Sequence, residues 1–170
     1  MSDEIESLIS ADRWDEARDA IQAALDAEPS SHWLLARLAL TYYEQRRYRE
    51  ALAVAERASG LAPRCPLVLW ETAGALDMLG RTSEAVHIYR RIVRRNVDSL
   101  AHGDCGEGLA WARGLIADCW YRIARCHMRD GRRILSKRAC NTHLKLRGPG
   151  CQSIYPINRV RRELQALENG

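Results

Sequence analysis

Ala17, Ala51 and Ala85 stand 34 residues apart, and the same interval separates Trp14, Tyr48 and Thr82. Pro29 and Pro63 keep the interval as well, with Val97 in the third slot. Two antiparallel helices and the two turns that join them need about this many residues to make one stackable unit. Small residues recur where such helices must approach closely, and the prolines fall where a unit ends. The composition agrees: Phe is absent, while Ala, Leu and Arg, all good helix formers, are abundant.

The unit beginning at His32 places Leu35, Leu38, Ala39 and Tyr42 on a first helix, then Tyr48, Ala51, Ala55, Ala58 and Pro63 on and after a second. The unit beginning at Pro66 places Leu69, Ala73, Leu76, Gly80, Ala85, Tyr89 and Ile92, and departs from the pattern at Thr72, Thr82 and Val97. A shortened unit precedes them, its second helix marked by Trp14, Ala17, Ile21, Ala24 and Pro29. With a large residue, a Leu, a small residue and a Tyr on the first helix, and an aromatic and spaced alanines on the second, the sequence resembles the tetratricopeptide repeat (TPR) family. Ala55 stands where that family usually has a larger residue. The resemblance is close over 11–96 and looser beyond, and it implies an all-α fold: a TPR-type right-handed superhelix of helix-turn-helix repeats with a C-terminal capping helix.

After Val97 the register breaks. The next unit fits best from Ala117, with Trp120, Ile123, Ala124 and Gly131, then Ser136, Cys140 and Gly148, which is 17 residues later than the period requires. The extra stretch opens with the loop His102–Gly108 and runs into one long helix expected at about 106–129, with Gly114 as a candidate kink. Gly148, Pro149 and Gly150 end the unit, and Pro156 opens an amphipathic helix bearing Val160, Leu164 and Leu167 on its apolar face. The expected organisation is a single TPR-like domain over 1–170: repeats at about 1–31, 32–65 and 66–99, an insertion at about 100–116, a degenerate repeat at about 117–150, and a capping helix at 156–168.

The family holds peptides or helices of other proteins along its first helices. Carried over offset by offset, this implies a partner-binding set of Trp33, Leu40 and Tyr43, then Leu67, Trp70 and Asp77, then Tyr121, Arg125 and Arg129. Trp, Tyr and Arg dominate binding hot spots, so an apolar anchor with an acidic flank is the expected guest. Ala36 and Leu40 occupy positions from which some family members grip a C-terminal carboxylate, and neither side chain can donate a hydrogen bond. The bland alternative is that Trp33 and Trp70 pack against the final helix or a neighbouring repeat.

Charge is unevenly spread. Residues 1–30 hold nine Asp or Glu against two Arg, whereas the stretch from Cys119 onward holds twelve Arg or Lys against three acids. Such polarity steers acidic partners or favours head-to-tail self-association, unless it only solvates exposed helix faces. The basic run with Trp120 and Tyr121 interleaved also admits nucleic acid or another polyanion as an alternative partner.

A second alternative is a bound metal, for which Cys140 and His143 share a helix face; no CxxC pair accompanies them. Cys119 and Cys126 lie about 10 Å apart by helical rise, too far for a disulfide, so reduced and mostly buried thiols are expected. The loop His102–Gly108 lacks the Gly-Lys-Ser/Thr ending of a phosphate-binding loop. With no apolar run of about 20 residues and no secretory pattern at Met1–Ser10, a cytoplasmic protein is expected. It has no catalytic residues, metal or cofactor in this reading, and serves as a protein-interaction scaffold.

Overall fold

The structure, a computed structural model, describes residues 2–169. Ten α-helices and no strand occur among them: α1 (Ser2–Ser10), α2 (Trp14–Ala27), α3 (His32–Glu44), α4 (Tyr48–Leu61), α5 (Pro66–Met78), α6 (Thr82–Val93), α7 (Val97–His102), α8 (Leu109–Arg129), α9 (Arg133–Leu146) and α10 (Ile157–Asn169). Helix contacts divide the chain into two compact units, Met1–Gly80 and Arg81–Gly170.

In the first unit α2 packs on α1 and α3, and α4 lies against α3 and α5. The period seen in the sequence reappears in the backbone. Asp12, Arg46 and Gly80, 34 residues apart, all adopt positive φ (56°, 60° and 78°), each just before the N-cap of the following helix. That left-handed residue reverses the chain after a helix and satisfies its last carbonyls: the Arg46 and Arg47 amides, for example, donate to Tyr43 and Tyr42 at 2.9 Å. Ser31 caps α3 by accepting from the Leu34 amide, and Pro66 occupies the first turn of α5. Ala17, Ala39, Ala55 and Ala58 are fully buried, as close helix approach requires.

The second unit is built around α8, which packs against α6, α7 and α9, while α10 lies on α9. Gly131 repeats the left-handed turn (φ 71°) fifty-one residues after Gly80 rather than thirty-four. The difference is occupied by α7, the loop that follows it and extra turns at the start of α8. Here the structure differs from expectation at Val97 and agrees with it along the long helix. Val97 opens a short helix instead of closing a repeat, because the Asn96 side chain caps it by accepting from the Asp98 and Ser99 amides at 2.8 and 3.3 Å. And α8 runs through Gly114 without a break. Its start, Leu109, follows Gly108 (φ 90°), whose amide returns to the Ala101 carbonyl at 3.0 Å.

Gly114 has a different role from a kink. A Cβ built there would stand 1.6 Å from the Gln152 carbonyl oxygen. The Gln152 amide donates to the Ala110 carbonyl at 3.0 Å, so the strap leading to α10 lies directly on the backbone of α8. Among the described residues no helix is long and apolar enough to cross a membrane.

Candidate functional site

Helix α3 is apolar on most of its circumference, with Leu34, Leu35, Ala36, Leu38, Ala39 and Thr41 all buried. What remains partly open is largely aromatic: Trp33, Tyr42 and Tyr43 are half-buried, as is Leu40. Trp33, Arg37 and Leu40 follow at intervals of four and three, so they share one stripe. On the adjoining α5, every residue from Pro66 to Asp77 is buried except Trp70.

These side chains are held rather than loose. The Arg37 guanidinium sits 5.4 Å over the Trp33 ring, and its Nε donates to Glu6 at 2.6 Å, tying α1 to α3. Gly74 of α5 lets the Tyr43 ring approach: its Cε2 would be 3.4 Å from a Cβ at that position. Tyr43 also meets the Tyr48 ring edge-on at 5.4 Å. Tyr42 lies beneath two guanidinium groups, those of Arg18 and Arg47, at 5.4 and 4.7 Å. Arg37 was not among the residues expected from the sequence, although its place four residues after Trp33 was visible there.

The nine expected binding residues therefore separate. Trp33, Leu40 and Tyr43 of α3 and Trp70 of α5 are each half-open to solvent. Leu67 and Asp77, at 7% and 1% exposure, lie inside. On α8, Arg125 is half-buried and Arg129 exposed. Tyr121 is fully buried. Its hydroxyl donates to Glu163 of α10 at 2.7 Å, and its ring lies 4.5 Å from that of Tyr155. Burial, followed by that hydrogen bond to a carboxylate, pushes the phenol up to about 12. Tyr121 thus fastens the terminal helix.

A polar cluster that no sequence pattern announced lies beside it. The buried Asp118 carboxylate accepts from the Ser153 hydroxyl and from the Ile154 amide at 3.0 Å. Arg147 donates to Ser153 Oγ at 2.7 Å and to the Tyr155 carbonyl at 2.5 Å. Burial raises the Asp118 carboxyl above its ordinary value, against the pull of its two hydrogen bonds and the nearby arginines. The cluster pins the strap between α9 and α10.

Cys140 and His143 are both in the core. The His143 Nδ1–H donates to the Ala117 carbonyl at 2.7 Å, which fixes the tautomer. Burial pushes the Cys140 thiol up to about 11. Among the described residues no third His, Cys, Asp or Glu completes a ligand set with this pair. In the loop after α7 the Gly106 and Gly108 amides turn back to the Gly103 and Ala101 carbonyls, leaving no nest of free donors from those two residues for an anion.

Residues 3–41 and 37–99 match the family model described as tetratricopeptide repeat. A crystal structure of MamA superposes with a TM-score of 0.71 at 16% identity, covering 98% of this chain and 83% of that one. A second MamA crystal structure gives 0.65 at 17% identity, covering 98% and 85%. A tetratricopeptide repeat protein from Parabacteroides merdae gives 0.63 at 14% identity, covering 98% of this chain and 58% of its own. At such identities these likenesses are of fold alone. No curated protein matches in sequence.

Proposed function

Because the chain belongs to the tetratricopeptide repeat family, we propose that it is a protein-binding scaffold of the cytoplasm that holds a peptide or helix of a partner protein on the α3–α5 face. Trp33, Leu40, Tyr43 and Trp70 are its anchors. The observation that carries this reading is Trp70, the one residue between Pro66 and Asp77 that is not buried. A helix that buries every other residue from Pro66 to Asp77 but leaves a tryptophan half-open presents the residue type that dominates binding hot spots. The Arg37 guanidinium over Trp33 and the Gly74 seat under Tyr43 hold the rings before any guest arrives, which lowers the ordering cost of binding. In the second unit, Arg125 and Arg129 offer positive charge to acidic residues of a partner. No catalytic role is assigned to any residue.

The test is affinity capture from lysate with wild type and with a Trp33→Ala/Trp70→Ala variant whose helicity matches wild type by circular dichroism. A protein retained by wild type and lost from the variant supports the α3–α5 face as the site. Equal capture by both overturns it, and capture abolished by nuclease transfers the function to the basic second unit.

A further inference from the structure

We infer that the turn between α8 and α9 is a second docking surface, taking an acidic amphipathic segment of a partner protein that supplies a carboxylate this chain provides for itself elsewhere. The inference lies beyond the α3–α5 face and does not depend on it.

One device is repeated along the chain. Helices α2, α4 and α6 each begin after an arginine that ion-pairs with a glutamate three residues on. Arg13, Arg47 and Arg81 donate from Nε to Glu16, Glu50 and Glu84 at 2.6, 2.9 and 2.7 Å. Helix α9 begins in the same way, after Arg132, with the same backbone geometry at the cap (φ −84°, ψ 64°). Three residues on, however, stands Leu135, and Ile134 precedes it where α6 has Ser83. The Arg132 guanidinium is left with Asp130 at 4.0 Å, and Asp130 already accepts from the Thr82 hydroxyl at 2.8 Å.

Apolar side chains surround the vacated position. Ile134 is 69% exposed and Leu135 and Met128 each 38%. They edge two adjoining hollows of about 380 and 350 Å³ that share Gly131 and Arg133. Contiguous exposed apolar surface rimmed by charge marks an interaction site.

The sign of that charge selects the occupant. Residues 125–138 contain six Arg or Lys and one acid, and the unit Arg81–Gly170 holds eighteen Arg or Lys against eight Asp or Glu. A guest with a Leu, Ile or Met on one face and Glu or Asp on the other fills the hollows. It also returns a carboxylate to Arg132, and its net charge steers it there.

The experiment uses the full chain and a fluorescein-labelled helical peptide of about three turns, with leucines on one face and glutamates on the other. A second peptide carries lysine in place of each glutamate. The variant is Ile134→Ser/Leu135→Glu, which copies Ser83 and Glu84 of α6 and therefore suits the fold. By fluorescence anisotropy the acidic peptide binds wild type and the Trp33→Ala/Trp70→Ala variant alike. It binds Ile134→Ser/Leu135→Glu at least about tenfold more weakly, while that variant melts no lower than wild type. Equal affinity for wild type and the turn variant, equal binding of the lysine peptide, or no binding to wild type each overturns the inference. So do two other results: self-association of wild type abolished by the turn variant, which makes the occupant a second copy, and binding to anionic vesicles without binding to the peptide, which makes it a lipid surface.

Discussion

At position 114 the space for a side chain is taken by the Gln152 carbonyl oxygen, 1.6 Å from where a Cβ would be. The three nearest atoms all belong to the Gln152 backbone, so no flexible side chain there can swing away. Gly114→Ala therefore either lifts the strap from α8 or bends α8, and overpacking of this kind costs about 1–3 kcal/mol, read as a lower midpoint in urea denaturation. Gly60 is the internal control. It lies in α4 with nothing within 4 Å of its Cβ position, so Gly60→Ala gains helix propensity and raises stability by up to about 1 kcal/mol. An equal effect at the two sites would show that propensity, not contact, governs position 114. The sequence marked Gly114 only as a place where a helix could kink, since nothing local reveals a segment thirty-eight residues away that comes to rest on it. Tyr121 failed for a related reason. Its offset in the repeat is that of a binding residue, but Glu163 and Tyr155, from the far end of the chain, cover it.

At the scale of elements, the paired helices were legible because the 34-residue period is enforced by backbone geometry. Asp12, Arg46 and Gly80 must each turn left-handed, and the alanines must each admit a neighbouring helix. Helix α7 was not legible, being a six-residue element made by one side chain, Asn96, where the repeat pattern directs attention to Val97. The terminal helix α10 lies between these cases. Its apolar stripe, Val160 and Leu167, was visible in the sequence, whereas its fastening was not. Hydrogen bonds that hold it to the helices beneath include Tyr121 to Glu163 at 2.7 Å and Arg133 to the Leu167 carbonyl at 3.0 Å. Tyr121→Phe keeps the buried ring and removes one of them, at a cost of about 0.5–1.5 kcal/mol. Hydrogen exchange should quicken along α10 and leave α3 and α4 unchanged. Unchanged exchange in α10 would mean that the apolar stripe alone holds the helix.

For the molecule as a whole, acid should act on the two units differently. The histidines held below their ordinary value, His127 and His143, both lie in the unit Arg81–Gly170. Burial is the first cause at each; Arg90 and Arg132 add to it at His127 against Asp130, and Arg147 adds to it at His143 against the hydrogen bond to Ala117. A lowered pKa means the native histidine stays neutral while the unfolded one, with its ordinary value near 6.5, takes up a proton. The unfolded state then binds more protons, so stability is fully present above about pH 6.5 and is lost as the pH falls toward the native values. The limiting slope is about 1.4 kcal/mol per pH unit for each histidine. Asp118 works in the opposite sense, because its raised carboxyl gains a proton more readily in the native state, so acidification through its range favours folding. Exchange at pH 7.5 and 5.5 separates these contributions: amides of α8 and α9 should lose protection at the lower pH beyond any change in α3 and α4. The variant His143→Asn, whose amide can still donate to the Ala117 carbonyl at the position of Nδ1, removes one titrating group and should flatten that loss. A protection profile in α8 and α9 that is flat between the two pH values, or one that falls equally in His143→Asn, would place the acid sensitivity elsewhere and deny His143 its part in holding α9 to α8.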